Sequence, residues 1–212
     1  MKLEGVYSVL PTPFLDNGDF DEASLRRVVD LFIGAGVSGV TALGVTGEVA
    51  RLEEPERARV LEVVVDQVKG RVGVVAGTSA DGTRTCISYS RLARECGATA
   101  VMVSPPRMAK LNSDAVMRHY VALAGAVDIE IVVQDYPPIS GFAMEPSLLA
   151  RIAKEISKCE KEIGALDKKL GNADFLSRAP EEVVAEIRAR LVEEKQRMKL
   201  LVDALETLGV VK

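Results

Sequence analysis

A cycle of roughly thirty residues, repeated five times between Gly5 and Pro146, constrains this chain more than any other feature. Each repeat opens on a short β-branched run: Val6 to Leu10, Gly39 to Leu43, Val72 to Ala76, Ala100 to Val103 and Ile129 to Val133. A turn rich in Gly, Pro or Thr follows, and then ten to fifteen residues at helical spacing. The first helix reads through Leu25, Val28, Val29, Leu31 and Phe32 and stops at Gly34 to Gly36, and the second opens beside Pro55. Later helices fit Arg84 to Cys96, with Gly97 as stop, Ser113 to Ala126, and Pro146 onward. The strands do not alternate with polar residues, so they are expected to be buried on both faces of a parallel sheet with helices outside it. A closed barrel of eight such units takes about 250 residues, and a doubly wound sheet needs a reversal of strand order that a sequence does not display.

Composition bounds the rest. At 212 residues, with 48% apolar and 27% charged residues, the chain can bury one or two globular cores. The net charge of −4 comes from an acidic excess before Arg151, far from the basic stripe of a strong nucleic-acid binder. Cys86, Cys96 and Cys159 have no metal-like spacing and form no CxxC, which suits reduced thiols; no metal site and no cofactor is expected. Glu4, Pro11 and Pro13 interrupt any leader-like apolar run and no stretch is long enough to span a membrane, so a cytoplasmic location is expected.

In a parallel α/β sheet the reactive groups lie just after the strands. Those turns are Thr12-Pro-Phe14, Gly44-Val-Thr-Gly-Glu48, Gly77-Thr-Ser79, Ser104-Pro-Pro-Arg107 and Gln134-Asp-Tyr-Pro137. Hydroxyls, glycines and backbone amides of this kind can hold a small carboxylate or phosphate. The same residues are also what short turns require, and composition alone does not separate the two.

Gly44-Val-Thr-Gly-Glu48, taken with Leu10-Pro-Thr-Pro-Phe14 and Ala76-Gly-Thr78, resembles the dihydrodipicolinate synthase and N-acetylneuraminate lyase family over residues 1 to about 153. The resemblance implies a (β/α)8 TIM-type barrel, here incomplete at five βα units, in tetrameric relatives. It implies a lyase or aldolase reaction in which a lysine at the end of the sixth strand forms a Schiff base with pyruvate or a related 2-oxo acid. It places the substrate carboxylate on Gly44, Val45, Thr46 and Gly47, and a clamped carboxylate beside a desolvated amine is what makes such an imine an electron sink. Val45 stands where a hydroxyl is usual, Gln134 where a tyrosine is usual, and Pro106-Arg107 where paired tyrosines are usual. Tyr136, two residues past Gln134, is the candidate catalytic substitute. The chain leaves the family pattern around Lys154 to Ser157, before the sixth strand and its lysine, so no turnover is expected from this chain alone. Lys110 and Lys154 read as solvated amines and His119 as structural or exposed. Five strands cannot close a barrel, and self-association through two open sheet edges is expected.

From Lys154 the pattern changes to helices alone. Ile152, Ile156, Cys159, Ile163, Leu166 and Leu170 form one narrow stripe; Gly171-Asn172 end that helix, Pro180 opens the next, and Val184, Ile187, Leu191, Glu194, Met198, Leu201, Leu205 and Leu208 form the return stripe. Residues about 152 to 210, with Lys168-Lys-Leu-Gly-Asn172 and Ala179-Pro-Glu-Glu-Val-Val184, resemble the C-terminal coiled-coil arm of bacterial valyl-tRNA synthetases. That resemblance implies an antiparallel α-helical coiled-coil hairpin and a tRNA partner, contacted through Lys158, Lys161, Lys168, Lys169, Arg178, Arg188 and Arg190, without aminoacylation. The expected organisation is a partial lyase barrel at 1 to 153 and a hairpin at 154 to 212, a chimera joined within Ala150 to Ile156, with a tRNA-binding module and a structural or non-functional fusion as the alternative readings.

Overall fold

The computed structural model describes residues 3–207, with the side chains of 149, 152–161, 163, 173–174 and 196–207 outside that description. Five parallel strands form one sheet: β1 (Tyr7–Val9), β2 (Gly39–Ala42), β3 (Gly73–Gly77), β4 (Ala100–Val103) and β5 (Glu130–Val133). Their order is β1-β2-β3-β4-β5, each strand beside the next in sequence. No reversal occurs, so the sheet is an arc of barrel wall rather than a doubly wound sheet.

The helices between the strands are α1 (Glu22–Gly34), α2 (Glu54–Val68), α3 (Thr83–Cys96) and α4 (Ser113–Ala124). Their starts are chemically marked. The Asp21 side chain accepts from the Ser24 N–H at 3.0 Å, Glu53 N–H donates to Glu56 Oε2 at 2.8 Å, and Asn112 accepts from the Ala115 N–H at 2.9 Å. Gly97 ends α3 in the left-handed conformation. Each helix turns one apolar stripe to the sheet: Leu25 and Val29 on α1, Val60, Leu61, Val64 and Val68 on α2, Val116 and Leu123 on α4. Burying each such side chain contributes about 1.5–3 kcal/mol, and the spacing of these residues fixes which helix face docks. Tyr120 adds a polar anchor, its hydroxyl donating to the Val103 carbonyl at 2.8 Å.

Beyond β5 come a four-residue helix α5 (Pro137–Ser140), then α6 (Pro146–Leu170), α7 (Ala173–Arg178) and α8 (Glu181–Thr207). Two expectations are corrected. β1 is not buried on both faces; Val9 is 37% exposed and flanking Val6 64%, because this strand has a neighbour on one side only. The sheet is not left bare at both ends, because α8 packs against β5 and α4 as well as along α6. The ion pairs Glu162 with Arg190 at 3.7 Å and Asp167 with Lys195 at 3.1 Å join the long helices α6 and α8. Leu166 is buried and Val184, Ile187 and Leu191 are half-buried, in keeping with an apolar stripe; Ile152, Ile156, Cys159, Ile163, Met198, Leu201, Leu205 and Leu208 lie outside the described side chains. No helix among the described residues is long and apolar enough to cross a membrane.

Candidate functional site

The carboxyl ends of β2, β3, β4 and β5 surround a cavity of about 340 Å³, large enough for a small organic ligand. Its shape is set by an unusual backbone. Leu43, the residue after β2, has φ 57° and Glu48 has φ 53°, both in the left-handed region that costs a non-glycine residue about 1–2 kcal/mol. Between them Val45–Gly47 and Val49–Arg51 form two 3-10 turns. Gly77 permits this path: a Cβ there would lie 2.1 Å from the Leu43 carbonyl oxygen. Thr12, buried after β1, ties the loop down, its Oγ1 donating to the Gly47 carbonyl at 2.8 Å.

Polar groups then converge from the later strands. Ser79 Oγ accepts from the Ser104 N–H at 2.9 Å, and Ser104 Oγ donates to Gln134 Oε1 at 2.7 Å. That bond leaves the Gln134 amide nitrogen as a donor at the cavity wall. Asp81 accepts from the backbone N–H and Nε of Arg107 at 3.0 and 3.2 Å, and Arg51 pairs with Glu48 at 2.6 Å. Arg57 stacks over the Tyr89 ring at 4.1 Å from its centroid, and burial pushes its pKa down. The arrangement can orient a small oxyanion by amide, hydroxyl and guanidinium donors. Among the described residues no lysine lines it and no group of three or more His, Cys, Asp or Glu could hold a metal.

The sequence-derived candidates fall on both sides of the cavity wall. Gly44 and Val45 line it, while Thr46 is exposed beside it and Gly47 is buried beneath the loop. Gln134 lines it; Tyr136 caps α5, is 44% exposed and is not among the lining residues. Lys110 is exposed and the Lys154 side chain is outside the described set. His119 is structural: 3% exposed, with Nδ1 3.0 Å from Thr83 Oγ1, its ring edge-on to Tyr120, and its pKa lowered by burial. Lys168, Lys169, Arg178, Arg188 and Arg190 are exposed, Arg190 being paired with Glu162; Lys158 and Lys161 lie outside the described side chains. Arg57 and Asp81 were not anticipated. The available signal was an arginine in the first turn of a helix, where the macrodipole disfavours a cation.

Comparison with known proteins matches residues 2–192 to the Dihydrodipicolinate synthetase family. An uncharacterized DapA-like lyase of Rhizobium meliloti is 41% identical over 150 residues, 71% of this chain and 50% of that protein. A 4-hydroxy-tetrahydrodipicolinate synthase of Pelobacter propionicus is 41% identical over 154 residues, 73% of this chain and 53% of the relative. The chain therefore spans about half the length of these curated relatives. Among solved structures, YagE, a prophage protein of this family from E. coli K12 in complex with pyruvate, superposes with TM-score 0.65 at 28% identity, covering 70% of this chain and 51% of that one. The family match crosses the junction expected within Ala150 to Ile156 and gives the synthetase resemblance no support.

Proposed function

Because the chain belongs to the Dihydrodipicolinate synthetase family, we propose that its cavity binds a small 2-oxo acid such as pyruvate and that this chain alone does not turn it over through a Schiff base. One observation carries the reading: the cavity at the strand ends presents amide and hydroxyl donors suited to a carboxylate, while no lysine stands among its lining residues. YagE, a relative at 28% identity, was solved with pyruvate, which supports the ligand class. Without an amine to condense with the 2-oxo group, binding proceeds without an electron sink. The synthase activity by which the Pelobacter relative is named is not assigned to this chain by itself.

The tRNA-binding and fusion readings of the long helices draw on resemblance only. Two of their described cations, Arg190 and Lys195, are engaged by Glu162 and Asp167, so the carboxylate site takes precedence. The test is a pyruvate titration by calorimetry, followed by borohydride treatment and intact-mass measurement. Saturable binding with unchanged mass is expected. A reduced adduct on any lysine overturns the non-catalytic half of the reading, and absence of saturable binding overturns the other half.

A further inference from the structure

Three arginines line the cavity, and their pairing differs. Arg51 is held by Glu48 at 2.6 Å and Arg107 by Asp81 at 3.2 Å. Arg57 has no carboxylate within ion-pair distance among the described residues. Its guanidinium is half-buried over the Tyr89 ring, 4.1 Å from the centroid. The acid nearest in chemistry, Glu54, accepts from the Tyr89 hydroxyl at 3.1 Å, which draws that carboxylate to the tyrosine. Stacking fixes the plane of the guanidinium and leaves its edge N–H groups to bond a planar anion.

Two costs of this placement point the same way. Burial pushes the Arg57 pKa down, a loss of water that the nearby Glu54 carboxylate only partly offsets. Arg57 also sits in the first turn of α2, where the positive end of the helix disfavours it. An anion in the cavity offsets both, since it would meet the cation and the helix end together.

We propose that Arg57 recognises a second anionic group of the cavity's ligand, so that the site prefers a 2-oxo dicarboxylate to a 2-oxo monocarboxylate. This rests on the reading that the cavity binds 2-oxo acids. The first carboxylate meets the donors at Gly44, Val45 and Gln134, and the second meets the edge of Arg57.

The test compares pyruvate and 2-oxoglutarate by calorimetry on the full chain and on Arg57→Gln, Arg57→Lys and Arg94→Gln. Arg94 pairs with Asp128 at 2.8 Å, is absent from the cavity lining, and serves as the control. In the wild type 2-oxoglutarate is expected to bind about tenfold or more tighter than pyruvate, the scale of one charged hydrogen-bonded contact. Arg57→Gln removes that preference by weakening 2-oxoglutarate far more than pyruvate, Arg57→Lys keeps part of it, and Arg94→Gln changes neither. A thermal melt reports whether Arg57→Gln is folded; if it is not, loss of half or more of the preference in folded Arg57→Lys supports the proposal and full retention overturns it. Equal affinities in the wild type, or a preference that survives Arg57→Gln, overturn the proposal while pyruvate saturation leaves the 2-oxo acid reading standing. Dicarboxylate binding that depends on Arg57, without saturable pyruvate binding, supports Arg57 and removes pyruvate from that reading. No binding of either compound overturns both.

Discussion

Replacing Gly77 with alanine tests the backbone on which the cavity is built. Gly77 is the last residue of β3 and fully buried, and a Cβ there would lie 2.1 Å from the Leu43 carbonyl oxygen, 2.8 Å from the Leu43 carbonyl carbon and 3.4 Å from the Ala42 carbonyl oxygen. All three contacts are backbone, so no side chain can rotate away; the end of β2 and the left-handed Leu43 must move instead. Overpacking a core by one methyl costs about 1–3 kcal/mol, and a clash with backbone belongs at the top of that range. For a chain of this size each kcal/mol lowers Tm by about 2–4 °C, so Gly77→Ala is expected to melt about 6–12 °C below the wild type and to lose pyruvate affinity with the displaced loop. Gly34→Ala is the matched control: it lies at the end of α1 with nothing within 4 Å of an added Cβ, and alanine there should be neutral or stabilise by about 0.5–1 kcal/mol. Scanning calorimetry reads both. A Gly77→Ala protein melting within about 2 °C of the wild type would refute the close approach and, with it, the account of how Leu43 shapes the cavity.

Other perturbations separate the remaining parts. Thr12→Val removes the bond from Thr12 Oγ1 to the Gly47 carbonyl and should cost about 1–2 kcal/mol in denaturant unfolding while weakening pyruvate binding; unchanged values in both would dismiss the tether. Burial holds the His119 pKa below its ordinary 6.5, so below that pH the unfolded chain binds a proton that the folded chain refuses, and stability falls with pH. This group should contribute a slope of up to about 1.4 kcal/mol per pH unit as pH falls below 6.5, which His119→Gln should flatten; an unchanged pH dependence of the urea unfolding free energy in His119→Gln would count against it. Exposed Val6 beside the unpaired edge of β1 predicts self-association, with sedimentation above the 22.8 kDa chain mass and Val6→Lys shifting the protein toward monomer; a monomeric wild type would end that expectation.

The sequence by itself determined the five strand-helix units, the parallel sheet and the neighbourhood of the site. Apolar runs and helical spacing are local patterns, and the burial of Leu25, Val29, Val60 and Val64 follows from their positions along each helix. Strand limits differ by one residue at several ends, for example Tyr7–Val9 within Val6 to Leu10, since a ladder bond depends on the neighbouring strand as well as on the residue. Gly44, Val45, Ser104 and Gln134 were legible as residues after strands, and the structure brings them to one cavity.

Tertiary structure alone decided what those residues face. Thr46 and Tyr136 carry suitable chemistry but are exposed beside the cavity, because the turn at Val45–Gly47 and the start of α5 set directions that spacing does not encode. Arg57 lies far from Tyr89 and Gln134 in sequence, and its stacked position exists only once α2 and α3 are packed together. The long helices show the same limit. Their stripes announce a need for a partner surface, yet the stripe does not say which surface, and α8 takes β5 and α4 as well as α6. Periodicity is a property of one segment; the partner it meets is decided by the free energy of the whole packed chain.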